Sequence, residues 1–474
     1  MKEPTPTAPE SAPPLRLTWV QPEDLIGHEL RQLALEGHDA SALERRWLAA
    51  GGHLAPERAG ASPAPAAPGL RRLASQLLDE AAGLSETHSA PPAFEAIRTK
   101  FGCGGPGAKP PVPGRGGVGK KIPPTHLHAV HAAWLGRAAG CLLGKPVEKL
   151  PLQGIRQLAQ AAGNWPITTW FTERGVPGDL RATYPWNKRS APTSLAENID
   201  GMPEDDDLNY PLLGLLLLQR HGRHFTTTDV AKLWLDELPA GRTFTAERVA
   251  YRNLLDGIEP PGTARHRNPF REWIGALIRA DVHGWTNPGR PEAAAEQARR
   301  DAELTHTGNG VHGAEFIAAV IAEAATGADV HRSIEAGLTV VPPRSHLHRA
   351  ITHARELART TTDFDAVVDE LHHVHAAHHW VHVIPNAAAI TAALTHADGD
   401  FTHSITRAVS AGWDTDSNGA TAGSIAGLIA GHPDRLPAQW TEPLRNHLST
   451  TVADFHGIGF DTLAQLTFRE AERP

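Results

Sequence analysis

The sequence predicts an all-α protein, on three observations. From about residue 126 onward, apolar residues recur at the helical period. Two-residue alternation, the mark of strands, is almost absent. The periodic segments are also rich in Ala and Gly, which lets helix backbones approach closely.

Taken in order, residues 1–16 are rich in Pro, Thr, Ser and Glu and read as disordered. Residues 17–58 read as helical, with Leu25, Leu30, Leu33, Leu35, Leu43, Trp47 and Leu48 at helical spacing. APERAGASPAPAAPG (55–69) breaks the pattern, and LRRLASQLLDEAAGL (70–84) resumes it. Residues 17–101 are thus expected to form a small helical accessory region, and 102–125 a Gly/Pro linker. Within that linker GRGGVGKK (114–121) lacks the Ser or Thr of a phosphate loop and has no strand before it. One large all-α domain is expected over 126–474. Its first helix is HAVHAAWLGRAAGCLLG, followed by DLNYPLLGLLLLQRHG (207–222). TTTDVAKLWLDEL (226–238) opens with a capping pair, Thr226 and Asp229. Further helices fit 246–257, 291–304, 313–327, 333–338, 346–360, 363–379, 386–394, 401–412 and 418–431.

The 474 residues are 41% hydrophobic and 21% charged, enough to bury a full core without staples. Acidic residues outnumber basic ones 53 to 45, a net charge of −8, which argues against nucleic acid as the main partner. Two cysteines, Cys103 and Cys141, make no disulfide framework, and the first residues hold no apolar signal core. A cytoplasmic protein without a membrane span is expected.

Two acidic clusters carry the chemistry. PEDDDLNY holds Glu204, Asp205, Asp206 and Asp207; GWDTDSNGATAG holds Asp414, Asp416 and Ser417. Each opens a helix of apolar or small residues. A helix N-terminus favours each carboxylate by about 0.3–1 kcal/mol, too little to explain four in a row before LLGLLLL. A divalent cation explains it. Hard oxygen ligands point to Mg²⁺, Mn²⁺ or Ca²⁺ rather than zinc. The plainer alternative is a pair of acidic helix starts.

From 126 to about 470 the chain resembles the ADP-ribosylglycohydrolase family. GCLLGKPVE (140–148) resembles its opening G-x-x-x-G-x-x-x-E element. MPEDDDLNY resembles its Thr-Asp-Asp-Thr element, and AGWDTDSNGATAGSIAG its Gly-Asp-Thr-Asp-Thr/Ser element. The resemblance implies an orthogonal multi-helix bundle with two Mg²⁺ ions, or Mn²⁺, in a central cleft. It implies Glu204, Asp205, Asp206, Asp414, Asp416 and Ser417 as metal ligands. Glu148 is implied as general base or positioning carboxylate, with Asp207 as the next candidate. Glu204 and Asp207 stand where Thr is usual, and Cys141 where Asp often follows the first Gly. The implied activity is hydrolysis of an ADP-ribosyl N- or O-glycosidic bond, on a modified protein or a small ADP-ribose conjugate. A hydrolase of another small ribosylated metabolite, or a noncatalytic protein on the same fold, are the alternatives.

Weaker signals complete the expectations. His306 and Asn309 precede a glycine-rich helix start suited to an anion such as diphosphate. His382 and Asn386 resemble a His-x-x-x-Asn stretch near the family's cleft. HHVHAAHHWVH (372–382) puts His375, His379 and His382 near one face if it is helical, a zinc or nickel possibility against a plain His-rich surface. In RNPFREWIGALIRAD (267–281), a buried structural role is the safer reading, with a weak surface pair of Arg271 and Glu272 the alternative. The N-terminal region is expected to offer a partner contact.

Overall fold

The computed structural model describes residues 15–54, 60–62, 64–86 and 122–473. The expected disordered stretch, except residues 15 and 16, lies outside the described residues. So do Cys103 and nearly all of the expected linker, including 114–121. The described residues are mainly helical, with isolated bridges but no strand. None of their helices is long and apolar enough to cross a membrane.

The chain divides into two compact units, residues 1–88 with 267–269, and 89–266 with 270–474. The first contains α1 (Pro22–Leu35), α2 (Ser41–Ala49) and α3 (Pro68–Glu86). The helical residues expected from 17 to 58 form two helices, and Gly37, at φ 84°, ends the first of them. Glu23 and Asp24 occupy the first turn of α1, where the helix dipole favours anions, and Arg16 pairs with both at 3.1 Å. Leu25, Leu30, Leu33, Trp47 and Leu77 form its core.

The larger unit contains α4 (Thr125–Gly144), α5 (Leu152–Ala161), α6 (Asp206–His221), α7 (Thr227–Glu237) and α8 (Thr245–Leu255). It continues with α9 (Pro291–Ala302), α10 (Gly308–Ala324), α11 (Val330–Val340), α12 (His346–Thr360) and α13 (Phe364–Val374). It ends with α14 (Val383–Ala397), α15 (Phe401–Ser410), α16 (Thr415–Ala430) and α17 (Phe460–Glu472). The Thr226–Asp229 capping box forms in both directions. Helices α5 and α17 add to the expected set. One expected helix is shorter: α13 stops at Val374, so His375, His379 and His382 do not share a helical face.

Two features of this unit place its acidic clusters. The first is the contact between α4 and α16, which run antiparallel with glycine on glycine. A Cβ added at Gly136, Gly140 or Gly144 would overlap the backbone carbonyl of Gly423, Gly419 or Thr415 respectively. The spacing of four puts these glycines on one face of each helix. The last turn of α4 therefore lies against the first turn of α16, and Thr415 Oγ1 donates to the Gly144 carbonyl at 2.8 Å. The second feature is Pro211 inside α6. Proline has no N–H, so the carbonyl of Asp207 loses its helical partner. Arg137, in the middle of α4, supplies one: its Nε donates to Asp207 O at 2.7 Å. That bond ties the start of α6 to α4.

Candidate metal centre

Three helix ends therefore converge. The C-terminal end of α4 carries Cys141, Lys145 and, one short turn later, Glu148. The N-terminus of α6 carries Asp205, Asp206 and Asp207, with the Asp205 side chain capping the helix through Asp207 N–H at 2.9 Å. The N-terminus of α16 carries Asp414, Asp416 and Ser417.

The side chains form two groups. In one, ligand atoms of Cys141, Asp205 and Asp207 lie within 4.8 Å of one another; in the other, those of Glu148, Asp414 and Asp416 do. Both groups offer the donors a divalent cation takes, although the thiol of Cys141 suits a hard cation poorly. In the first group, the Lys145 ammonium contacts Asp205 Oδ2 and the Arg137 guanidinium lies 3.2 Å from Asp207 Oδ1. Arg137 also bonds Asp281 at 3.0 Å and is fully buried. In the second, Glu148 takes a bond from Asn187 Nδ2 at 2.6 Å and pairs with Lys149 at 2.8 Å. Neither Asp414 nor Asp416 has a Lys, Arg or His within ion-pair distance among the described residues.

The backbone is strained at both turns that present this second group. Lys149, directly after Glu148, has φ 72°, and Trp413, directly before Asp414, has φ 57°. Non-glycine residues in the left-handed region cost on the order of 1 kcal/mol each. The His372 ring stacks on Trp413 at 3.7 Å and helps hold it there.

Burial and mutual repulsion make the carboxylates hard to ionise together. Burial, then Glu148 and Asp205, push Asp416 up to about 7. Burial, then Asp416, raise Asp414 well above the usual range. Burial, then Asp205, do the same to Asp206. Asp205 alone ends below the usual range: burial opposes its ionisation, but Lys145 outweighs it. A carboxyl raised in the folded state binds more protons there than in the unfolded chain. Stability without metal should therefore fall as pH rises from about 4 through about 7. A cation in the site removes the repulsion, so the rise in Tm on adding Mg²⁺ should be larger at pH 8 than at pH 5. Scanning calorimetry with and without Mg²⁺ checks this, and an equal shift at both pH values would contradict it.

The other residues singled out from the sequence are placed as follows. Asp206 sits in the first turn of α6, and Ser417, in that of α16, donates its N–H to Asp416 Oδ1 at 3.1 Å. Glu204 stands outside both groups, accepting from Asn209 at 2.9 Å and pairing with Arg242 at 3.1 Å. Asp207 is committed to Arg137, as above. Asn386 does not present its amide to a ligand. Its Oδ1 accepts from Asp414 N–H at 3.1 Å and Asn418 Nδ2 at 2.8 Å, while its Nδ2 donates to the carbonyls of Trp380 and His382. It therefore fastens the Asp414 turn to α14. His382 is buried and caps α14 through Ile384 N–H at 3.2 Å. The anion expected at the start of α10 comes from the chain itself: Glu272 accepts from Asn309 N–H at 2.7 Å and Nδ2 at 3.0 Å. Arg271 and Glu272 are buried, as the safer reading of this segment expected. His306 is buried beside Thr305, 2.6 Å from its hydroxyl. Sequence reading passed over Arg137 and Asn187, and weighed Lys145 only as a partner of Glu148, whereas it pairs with Asp205. Arg137 had a signal, since a lone Arg inside WLGRAAGCLLG must find a buried partner.

Residues 123–471 match the family model described as ADP-ribosylglycohydrolase. An uncharacterized protein of Archaeoglobus fulgidus is 25% identical over 329 residues, 68% of this chain and 95% of that protein. A solved structure described as an ADP-ribosylglycohydrolase-related protein complex aligns with 73% of this chain and 99% of its own, at 20% identity and a TM-score of 0.45.

Proposed function

Because the chain belongs to the ADP-ribosylglycohydrolase family, we propose that it hydrolyses an ADP-ribosyl N- or O-glycosidic bond and that Mg²⁺ or Mn²⁺ is required. The observation that carries the reading is the group Glu148, Asp414 and Asp416, whose oxygens converge within 4.8 Å at two antiparallel helix ends. Nothing in folding alone favours three such carboxylates together, since each raises the others' cost of ionisation. Asp414 and Asp416, with Glu148 beside them, would hold a divalent cation, and that ion when bound supplies charge that binds the ribose hydroxyls and makes a water more acidic.

The chain's own residues do the rest. Glu148 accepts a proton from the attacking water as the bond to the anomeric carbon breaks; the acceptor leaves with the bonding pair and takes up a proton from solvent. Asn187 and Lys149 fix the orientation of its carboxylate through their bonds to Oε2 and Oε1. Asn386 and the strained Trp413 hold Asp414 in place.

The test is incubation of the purified full chain with ADP-ribosyl-arginine, ADP-ribosyl-serine and O-acetyl-ADP-ribose in Mg²⁺. Release of ADP-ribose from one of them is expected and identifies the bond. No release from any would remove ADP-ribosyl bonds as the substrate class and favour a smaller ribosylated metabolite or a noncatalytic role.

A further inference from the structure

We infer that this centre takes one divalent cation and that the Lys145 ammonium permanently fills the second position. The inference rests on the metal-dependent reading above and fixes its stoichiometry. The two acidic groups are alike in size and differ in what already sits in them. In the group of Cys141, Asp205 and Asp207, every carboxylate oxygen has a protein donor. Lys145 contacts Asp205 Oδ2, Arg137 lies 3.2 Å from Asp207 Oδ1, and the Cys141 thiol is 3.8 Å from Asp207 Oδ2. The two cations offset the two carboxylates.

Neither cation has somewhere else to go. The Lys145 side chain is only 9% exposed, and that of Arg137 is not exposed at all. The Lys145 backbone is pinned by the next residue, Pro146, and by Ser190 Oγ, which donates to its carbonyl at 2.7 Å. A second metal ion would have to expel a buried ammonium from its carboxylate and leave it unpaired, which is strongly unfavourable. The group of Glu148, Asp414 and Asp416 has the opposite character. Among the described residues its two aspartates have no Lys, Arg or His within ion-pair distance; Lys149 pairs with Glu148, and the Lys145 and Lys149 charges act on the aspartates only from farther away. Charge and donor chemistry therefore assign the exchangeable ion to this group and a built-in cation to the other.

The experiment is Mn²⁺ binding to the full chain, counted by titration calorimetry and by the loss of the free-ion resonance signal. The wild type is expected to bind one Mn²⁺ per chain. A double variant, Cys141→Asp with Lys145→Ala, supplies a hard ligand and removes the ammonium, and it is expected to bind two. Two ions on the wild type would overturn the inference and leave the metal-dependent reading standing. No ion on the wild type would sink that reading as well. A double variant that keeps the helical circular dichroism of the wild type yet binds one ion would also overturn the inference. The wild-type count decides it whether or not the variant folds.

Discussion

Glu148→Gln should lower turnover at saturating Mg²⁺ at least about a hundredfold, a loss of about 2.7 kcal/mol or more in the transition state. The substitution keeps the shape of the side chain and its bond from Asn187 while removing the charge that accepts a proton. The effect belongs to kcat, because a base acts as the bond breaks and not while substrate waits. Binding of ADP-ribose should stay within a few fold. If Glu148 were only the surface partner of Lys149, the pair would contribute about 0–1 kcal/mol and turnover would hardly change. Its place among the oxygens of Asp414 and Asp416 argues against that. Wild-type turnover in a folded Glu148→Gln protein would remove Glu148 from the mechanism.

Gly140→Ala should destabilise the larger unit by about 2–4 kcal/mol and abolish metal binding under the same conditions. The added methyl would overlap the carbonyl of Gly419, which belongs to the backbone of α16 and cannot rotate away. The helices must separate, and with them Glu148 leaves Asp414 and Asp416. Gly241→Ala is the control, because nothing lies within 4 Å of its Cβ position and its φ is not positive. The control should melt within about 0.5 kcal/mol of wild type. Equal melting of the two variants would show that close approach of α4 and α16 does not hold the site together.

The helices and both acidic clusters could be read from the sequence because their signals are local. A period of 3.6 residues, a Thr226–Asp229 pair and a run of carboxylates before apolar residues each lie within one element. What could not be read is what answers those charges. Lys145 meets Asp205 across 60 residues and Asn187 meets Glu148 across 39, and no spacing within an element predicts either. Asn309 and Asn386 illustrate the converse. The place of Asn309 at a helix start and the family-like stretch around Asn386 suggested ligand binding, but Asn309 N–H donates to the chain's own Glu272 and Asn386 Oδ1 accepts from the N–H of Asp414. Glu204 likewise belongs to its run in sequence but not in space, because the extended Asp205 turns the backbone and sends Glu204 toward Arg242.

The central claim is that the carboxylates gathered at the ends of α4 and α16 serve a metal on which cleavage of a ribosyl bond depends. The most direct measurement is ADP-ribose release by protein stripped with a chelator, then supplied with Mg²⁺. The account predicts that stripping stops release and that Mg²⁺ restores it in the wild type but not in Asp416→Asn. Release that continues unchanged in the stripped protein, or that Asp416→Asn regains in full, would contradict it.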